Sequence, residues 1–426
     1  MENTATTTKN SKKKLSLANM FFLFKYKNYR KLLIANSISR FGDSIDAIAF
    51  SWLVYMFTGS EMLLGITFAV NSLPNLLFGA FTGLLADRLN KKKLIIYSYL
   101  GRGMSVAIIS MLYYTNTLSL WHIFALTAFN STLEILMHPA VTAITPELLP
   151  EEAFTKASAF SNSLYRTLEL IGTGMAGIII AQISITGALV VDALTFFAGA
   201  MIISTMKLEA KEKEELPEAL NLKSGLREIK EGFSYIKLNK FIMMVIVLFA
   251  VINFCLSPLN ILTPIFTDKV LLGGPETLSI LLMSLTLGTI IGGVAVAALA
   301  HKFKGNSLLI TSSLIFGAVY ALLILPSVLT TGAVIVSSVC FFLMGFMVPG
   351  MTAPINGYIL SKTDKRYLGR VSGIISLIAT GVMPIGAALT GVMAEYLAAS
   401  LIFLIMGAII IVTSLYMWLG GRLSTH

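Results

Sequence analysis

Twelve stretches of this chain are each long and apolar enough to cross a lipid bilayer, and this repetition constrains the fold more than any other feature. A helix rising ~1.5 Å per residue needs about 20 apolar residues to cover a hydrocarbon core of roughly 30 Å. The runs are 29–57, 62–86, 93–114, 120–145, 156–183 and 187–206, then 241–266, 277–300, 307–325, 332–361, 369–396 and 399–419, here spans one to twelve. Both faces of these helices are apolar, so length and flanking charge define them rather than periodicity. Only 13% of the residues are charged, against roughly 25% in a soluble domain. With a mean hydropathy of +0.80, this excludes a water-soluble enzyme.

The polar gap 207–240 falls almost at mid-chain, with eight basic residues against seven acids and a predicted amphipathic helix over 222–236. The expected organisation is a basic N-terminal segment (1–28), a six-helix bundle (29–206), a linker (207–240), a second bundle (241–419) and a short tail (420–426). Most of the 32 Lys and Arg fall in the N-terminal segment, the linker, the tail and the gaps after even-numbered spans. Basic loops stay in the cytoplasm, so both termini are expected there, in a bacterial cell membrane. The first apolar run is too long and too charged for a cleaved signal peptide.

The halves echo one another. Gly59-Ser60-Glu61-Met62-Leu63 precedes span two, and Gly274-Pro275-Glu276-Thr277-Leu278 precedes span eight. His138-Pro139-Ala140 in span four has a counterpart in Ala353-Pro354-Ile355 of span ten. Parallel repeats with a midplane site between them are a transporter design. After span two comes Gly83-Leu84-Leu85-Ala86-Asp87-Arg88-Leu89-Asn90-Lys91-Lys92-Lys93. This resembles the loop motif of the major facilitator superfamily, with Asn90 for its second glycine and Lys91 for its arginine. Asn tolerates the left-handed turn a glycine would take. A degenerate copy follows span eight, where His301 replaces the acid. The resemblance covers essentially the whole chain and implies an all-α membrane protein of two six-helix pseudo-repeat bundles. Phe41-Gly42-Asp43-Ser44, Trp52-Leu53-Val54-Tyr55 and Leu368-Gly369-Arg370-Val371 are similar to the branch of macrolide and siderophore exporters. The arginine often found in helix four of the superfamily is missing, and Asn130 stands nearest its position.

A charge at the centre of a spanning helix costs roughly 2.5–3.5 kcal/mol on insertion scales. Arg40, Asp43, Asp46, Arg102, Glu134, Arg166, Glu169 and Asp192 lie inside spans, all in the first half. Arg40, Asp43 and Asp46 form one stripe at i, i+3, i+6. The resemblance puts spans one, four, seven and ten on the central cavity, where Asp43, Asp46 and Glu134 are the expected proton-coupling groups. A carboxylate in an apolar, intermittently wet cavity can bind and release a proton as the conformation changes. The alternative is an Arg40–Asp43 pair that fixes packing. Arg166 and Glu169 are expected to pair at i, i+3, with Arg166 able to reach a span-one carboxylate; Arg102 is expected to partner Asp192 or Glu169. His138, before Pro139, is expected to hydrogen-bond locally.

The motif makes Gly83, Asp87, Arg88 and Lys91, with Gly369 and Arg370 of span eleven, a cytoplasmic gate. Asp87 would hold the amide-rich start of span eleven and nearby cations such as Lys91. Gly172, Gly174 and Gly177 crowd span five, and Gly79 and Gly83 form a small-xxx-small pair for close packing. Phe249, Asn253, Phe254, Asn260, Phe346, Met347 and Asn356 offer an adaptable wall in spans seven and ten. The chain contains no phosphate-binding loop, no His-Glu-x-x-His and no Cys/His cluster, and its two cysteines, Cys255 and Cys340, lie in apolar runs. No cofactor and no metal are expected. The expected function is export of an amphipathic organic compound by proton antiport, by a monomer whose partners are a small lipophilic or amphipathic substrate, protons and membrane lipids, with no nucleic acid. A lipid or lysolipid flippase, an importer and a non-transporting membrane sensor remain as alternatives.

Overall fold

In a computed structural model the chain is helical, and the structure describes residues 21–207, 233–234, 236–237, 240–299, 302, 305–329, 331–363 and 368–423. The helix predicted over 222–236 lies almost wholly outside the described residues. Span one is Lys27–Thr58, span two Glu61–Arg88, span three Lys91–Tyr114 and span four Leu120–Leu148. Spans five and six form one element, Phe154–Ser204, broken at Ser184 (φ 69°, ψ 172°). The break is a reversal: Gly172 before it and Asp192 and Thr195 after it all meet span one within Phe41–Ser44. Spans seven to twelve are Lys240–Lys269, Pro275–Leu299, Gly305–Ala321, Ala333–Lys362, Leu368–Ala394 and Ala399–Leu423. A 3-10 turn, Leu322–Val328, extends span nine.

Among the described residues nine helices are long and apolar enough to cross a membrane, with Glu151–Ser204 counted as one. Span one is outside this set because Arg40, Asp43 and Asp46 fall in its centre. Span eleven contributes only the shorter apolar stretch Gly381–Ala394.

Helix direction alternates, so the starts of spans one and three and the end of span six share one face, called here the terminal face. Lysines stitch that face together. Lys31 donates to the Thr205 carbonyl (2.7 Å), and Lys92 donates to those of Ser204 (2.7 Å) and Met206 (2.6 Å). These are the unsatisfied carbonyls at the end of span six, where a cation is favoured. Asn90 does not take the expected left-handed turn. Its backbone is extended (φ −67°, ψ 106°), and its side chain caps span three by accepting from the Lys93 amide at 3.0 Å. An N-cap asparagine satisfies an orphan donor, which a glycine there cannot do. On the far face Gly59 closes span one in the left-handed conformation (φ 60°). In the second copy the left-handed residue is Leu272 (φ 51°).

Close helix approach follows the small residues. Cβ atoms on Gly288 and Gly292 would collide with the backbone carbonyls of Phe342 and Phe346, and one on Gly345 with the Leu285 carbonyl, so spans eight and ten touch backbone to backbone. Gly79 is not such a contact: among the described residues a Cβ there meets only Asn75 of its own helix.

Candidate functional site

The bundles meet across the far face. Gly65 of span two lies against the Ala387 carbonyl (2.7 Å from an added Cβ), and Gly391 of span eleven lies against Met62 (3.1 Å). Gly177 of span five meets the Glu276 backbone (2.5 Å) and Ser279 (2.7 Å) of span eight. Two polar links reinforce this face. The Tyr55 hydroxyl donates to Asp268 Oδ2 at 2.7 Å, and Lys269 pairs with Glu61. Tyr55 stands out in the sequence only within Trp52-Leu53-Val54-Tyr55, and Asp268 not at all, because a polar residue at a helix end is explained by water alone.

Toward the terminal face a cavity of about 220 Å³ opens in the first bundle. Span one contributes Asn36, Ser39, Arg40 and Asp43, span three Tyr99 and Arg102, and span four Glu134, Met137, His138, Val141 and Thr142; span five adds Asn162 and Tyr165. Arg102, only 5% exposed, organises it. Its Nη2 donates to Asp43 Oδ1 at 2.9 Å and lies 3.7 Å from Glu134 Oε2. Its Nε donates to Asn130 Oδ1 at 3.0 Å, and its guanidinium sits 4.4 Å above the Phe196 ring. The planar fork reaches three helices at once, which a lysine could not do.

This geometry revises several pairings. Asp43 is bonded to Arg102 and, weakly, to Ser39 (3.5 Å), not to Arg40, which is exposed. The Arg40 guanidinium is turned out to an exposed position, whereas span three brings the buried Arg102 guanidinium to Asp43. Arg102 is committed to spans one and four, so Glu169 is not its partner. Glu134 has its cation from span three. Asn130, nearest the missing span-four arginine, receives instead the span-three one. Arg166 pairs with Glu169 at 2.9 Å in an exposed i, i+3 contact and does not reach span one. His138 lines the cavity and is exposed.

Asp192 is fully buried. Thr195 Oγ1 donates to its Oδ1 at 3.3 Å, while its Oδ2 has no partner. Asp46 Oδ1 is likewise buried without a partner. A Cβ on Gly42 would collide with both Asp192 and Thr195, so glycine there is what admits span six to span one. The sequence singled out Asp192 by its cost in the membrane and marked Gly42 only within Phe41-Gly42-Asp43-Ser44, with no sign of its packing role.

Of the gate residues, Asp87 and Arg88 end span two and Gly369 and Arg370 begin span eleven; their side chains, and that of Gly83, lie outside the described ones. Lys91 pairs with Glu147 at 2.6 Å. In the second bundle Asn253 donates to the Phe249 carbonyl at 2.8 Å, and Phe346 stacks with Phe342 (centroids 6.5 Å). Phe249, Phe254 and Met347 pack against the core, Asn260 is exposed, and the Asn356 side chain lies outside the described ones.

Known proteins repeat this architecture. Macrolide efflux protein A of Streptococcus pyogenes is 25% identical over 91% of this chain and 95% of its own length. The multidrug efflux pump Tap of Mycolicibacterium fortuitum is 26% identical over 89% and 93%, and the staphyloferrin A transporter of Staphylococcus aureus 22% over 90% and 94%. Among solved structures, the nucleoside transporter NupG superposes with a TM-score of 0.76 at 11% identity, covering 92% of this chain and 98% of its own. A bacterial homologue of the iron transporter ferroportin, in an inward-facing state, gives 0.72 at 14% identity, covering 94% and 99%. The Major Facilitator Superfamily profile matches residues 32–385, most of the chain, and the protein belongs to that family of transporters.

Proposed function

We propose that this transporter exports amphipathic organic compounds, of macrolide or related type, by proton antiport and alternating access. The observation that carries the reading is the Asp43–Arg102–Glu134 cluster on the wall of a cavity that lies toward the terminal face, below a far face held shut by Tyr55–Asp268 and Glu61–Lys269. Charges in a spanning bundle are costly, and a titratable group exposed to a cavity can exchange a proton as access alternates. Asp43 and Glu134 compete for one guanidinium, so protonating either frees Arg102 for the other. Asp46, one turn on, extends the acid stripe. The efflux functions named for the similar proteins point to export and to bulky organic substrates.

The protein acts as a monomer in the cell membrane, with both termini in the cytoplasm, because Lys and Arg concentrate on the terminal face. The two six-helix bundles (29–206 and 241–419) rock about the linker 207–240. Asp87, with Gly83, Arg88, Lys91, Gly369 and Arg370, closes the cytoplasmic side in the opposite conformation. Phe249, Phe254 and Met347 present apolar contact from the second bundle. One proton moved through 100 mV supplies roughly 2.3 kcal/mol, enough for a substrate gradient near ~50-fold at about 1.4 kcal/mol per decade.

The test is macrolide counterflow in proteoliposomes, with and without an imposed pH gradient. Antiport requires uptake to rise with an outward-directed proton gradient and to collapse with an uncoupler. Transport indifferent to the gradient in wild type would end the antiport reading.

A further inference from the structure

The most anomalous polar atoms in the first bundle lie outside the cavity. Asp192 is fully buried with Oδ2 unpartnered, and Asp46 Oδ1 is buried and unpartnered. Asp192 rests against Gly42. Asp46 is four residues beyond Gly42, hence on the same face of span one and one turn on. The two carboxyls therefore share the seam between spans one and six.

The charged and titratable groups facing that seam are few. Span one brings Asp43, bonded to Arg102, and Arg40, exposed on the cavity side. Span three brings Arg102 and Tyr99, the latter donating to Asn36 at 2.6 Å. Span four brings Glu134, beside Arg102. Arg102 already serves Asp43, Glu134 and Asn130. The Thr195 hydroxyl serves its own helix carbonyl at 2.7 Å and one Asp192 oxygen. Among the described residues no further donor is bonded to the two free oxygens. Two carboxylates that face one buried seam, each with an oxygen lacking a donor, do not both stay ionised. The donor that fits the seam is an acid O–H.

We propose that Asp46 and Asp192 form a proton-binding site in the seam between spans one and six, separate from the Asp43–Arg102 pair, which holds one proton between the two acids while the far face is closed. Protonation converts one carboxylate to a carboxylic acid whose O–H points at the other, and release returns the proton to water. Gly42 sets the spacing. A displacement of span one against span six separates the acids and lets the proton go. The coupling role of the site rests on the antiport reading; its existence does not.

Infrared spectroscopy of the full chain in lipid vesicles, with pH as the only variable, tests the site without any substrate. Wild type should show a protonated-carboxyl C=O band at neutral pH. Asp192→Asn and Asp46→Asn should each remove it, because the introduced carboxamide donates to the remaining carboxylate. Gly42→Ala should shift it, and size-exclusion profiles verify folding. Absence of the band in wild type, or its survival unchanged in either Asn variant, overturns the proposal. The transport arm is macrolide/proton stoichiometry by reversal potential. Asp192→Asn should lower the protons moved per macrolide, and an unchanged ratio would overturn the coupling role. Gradient-independent transport in wild type would sink antiport while leaving the infrared result intact.

Discussion

Removing the Tyr55 hydroxyl should open the far face. The bond from Tyr55 to Asp268 Oδ2 is short (2.7 Å) and shielded, with Tyr55 6% exposed. A hydrogen bond to a charged group contributes roughly 1.5–3 kcal/mol. The neighbouring Lys269–Glu61 pair is different: the lysine side chain is 58% exposed, and such pairs contribute about 0–1 kcal/mol. At about 1.4 kcal/mol per decade, Tyr55→Phe should raise the population open on the far face ~10- to 100-fold, and Lys269→Ala no more than ~5-fold. Ser279 is a suitable reporter, 2% exposed and wedged against Gly177 of the other bundle. With Cys255 and Cys340 replaced, Ser279→Cys should react with a membrane-impermeant maleimide at a rate that follows the open population. Equal acceleration by Tyr55→Phe and Lys269→Ala would refute the argument, because burial would then not decide the strength of the link. No acceleration by either would show that the glycine contacts alone hold the face shut.

Three further outcomes follow from the packing. Arg102→Gln should lower thermal stability by about 3–5 kcal/mol, since it strands the Asp43 charge; adding Asp43→Asn should recover much of that in a thermal unfolding assay. Gly65→Val should push span two off the Ala387 carbonyl, at about 1–3 kcal/mol for overpacking, and raise Ser279→Cys labelling without Tyr55 being touched. Asn90→Ala should cost about 1 kcal/mol through loss of the span-three cap, seen as a lower melting temperature with macrolide counterflow unaltered.

Element positions were legible in the sequence because crossing a bilayer imposes a length. The eight intramembrane charges were legible because each is expensive where it lies. Pairing was not, since it depends on which helix faces which. Arg102 is as close in sequence to Glu134 as to many other groups, and only the packing of span three against span four and the Phe154–Ser204 element aims it at Asp43. Lys91 illustrates the same limit: among the described side chains its partner is Glu147, 56 residues on, which no sequence spacing points to. Gly42 has no chemistry of its own, and its packing role appears only when span six is laid against it.

The asymmetry of charge between the halves has a mechanical counterpart. In the second bundle the described polar contacts of span seven are local or made to a neighbouring backbone, as where Ser257 donates to the Met383 carbonyl at 3.3 Å. Asn253 caps a carbonyl one turn back, and Phe342 and Phe346 lend their backbone to the glycines of span eight. Backbone-to-backbone contacts of that kind resist deformation, because no side chain can yield. The first bundle instead contains a polar-lined cavity, two acids each with a buried oxygen lacking a donor, and a guanidinium shared by three helices, whose partners depend on where those helices sit. Under the proposed alternating access, the second bundle would supply a closely packed surface to rock against, and the first would change its hydrogen bonds as it rocks. On this argument, substitutions that loosen the span eight–span ten seam, such as Gly288→Ala, should lower stability and turnover together. Substitutions at Arg102 should alter proton coupling even where turnover is retained.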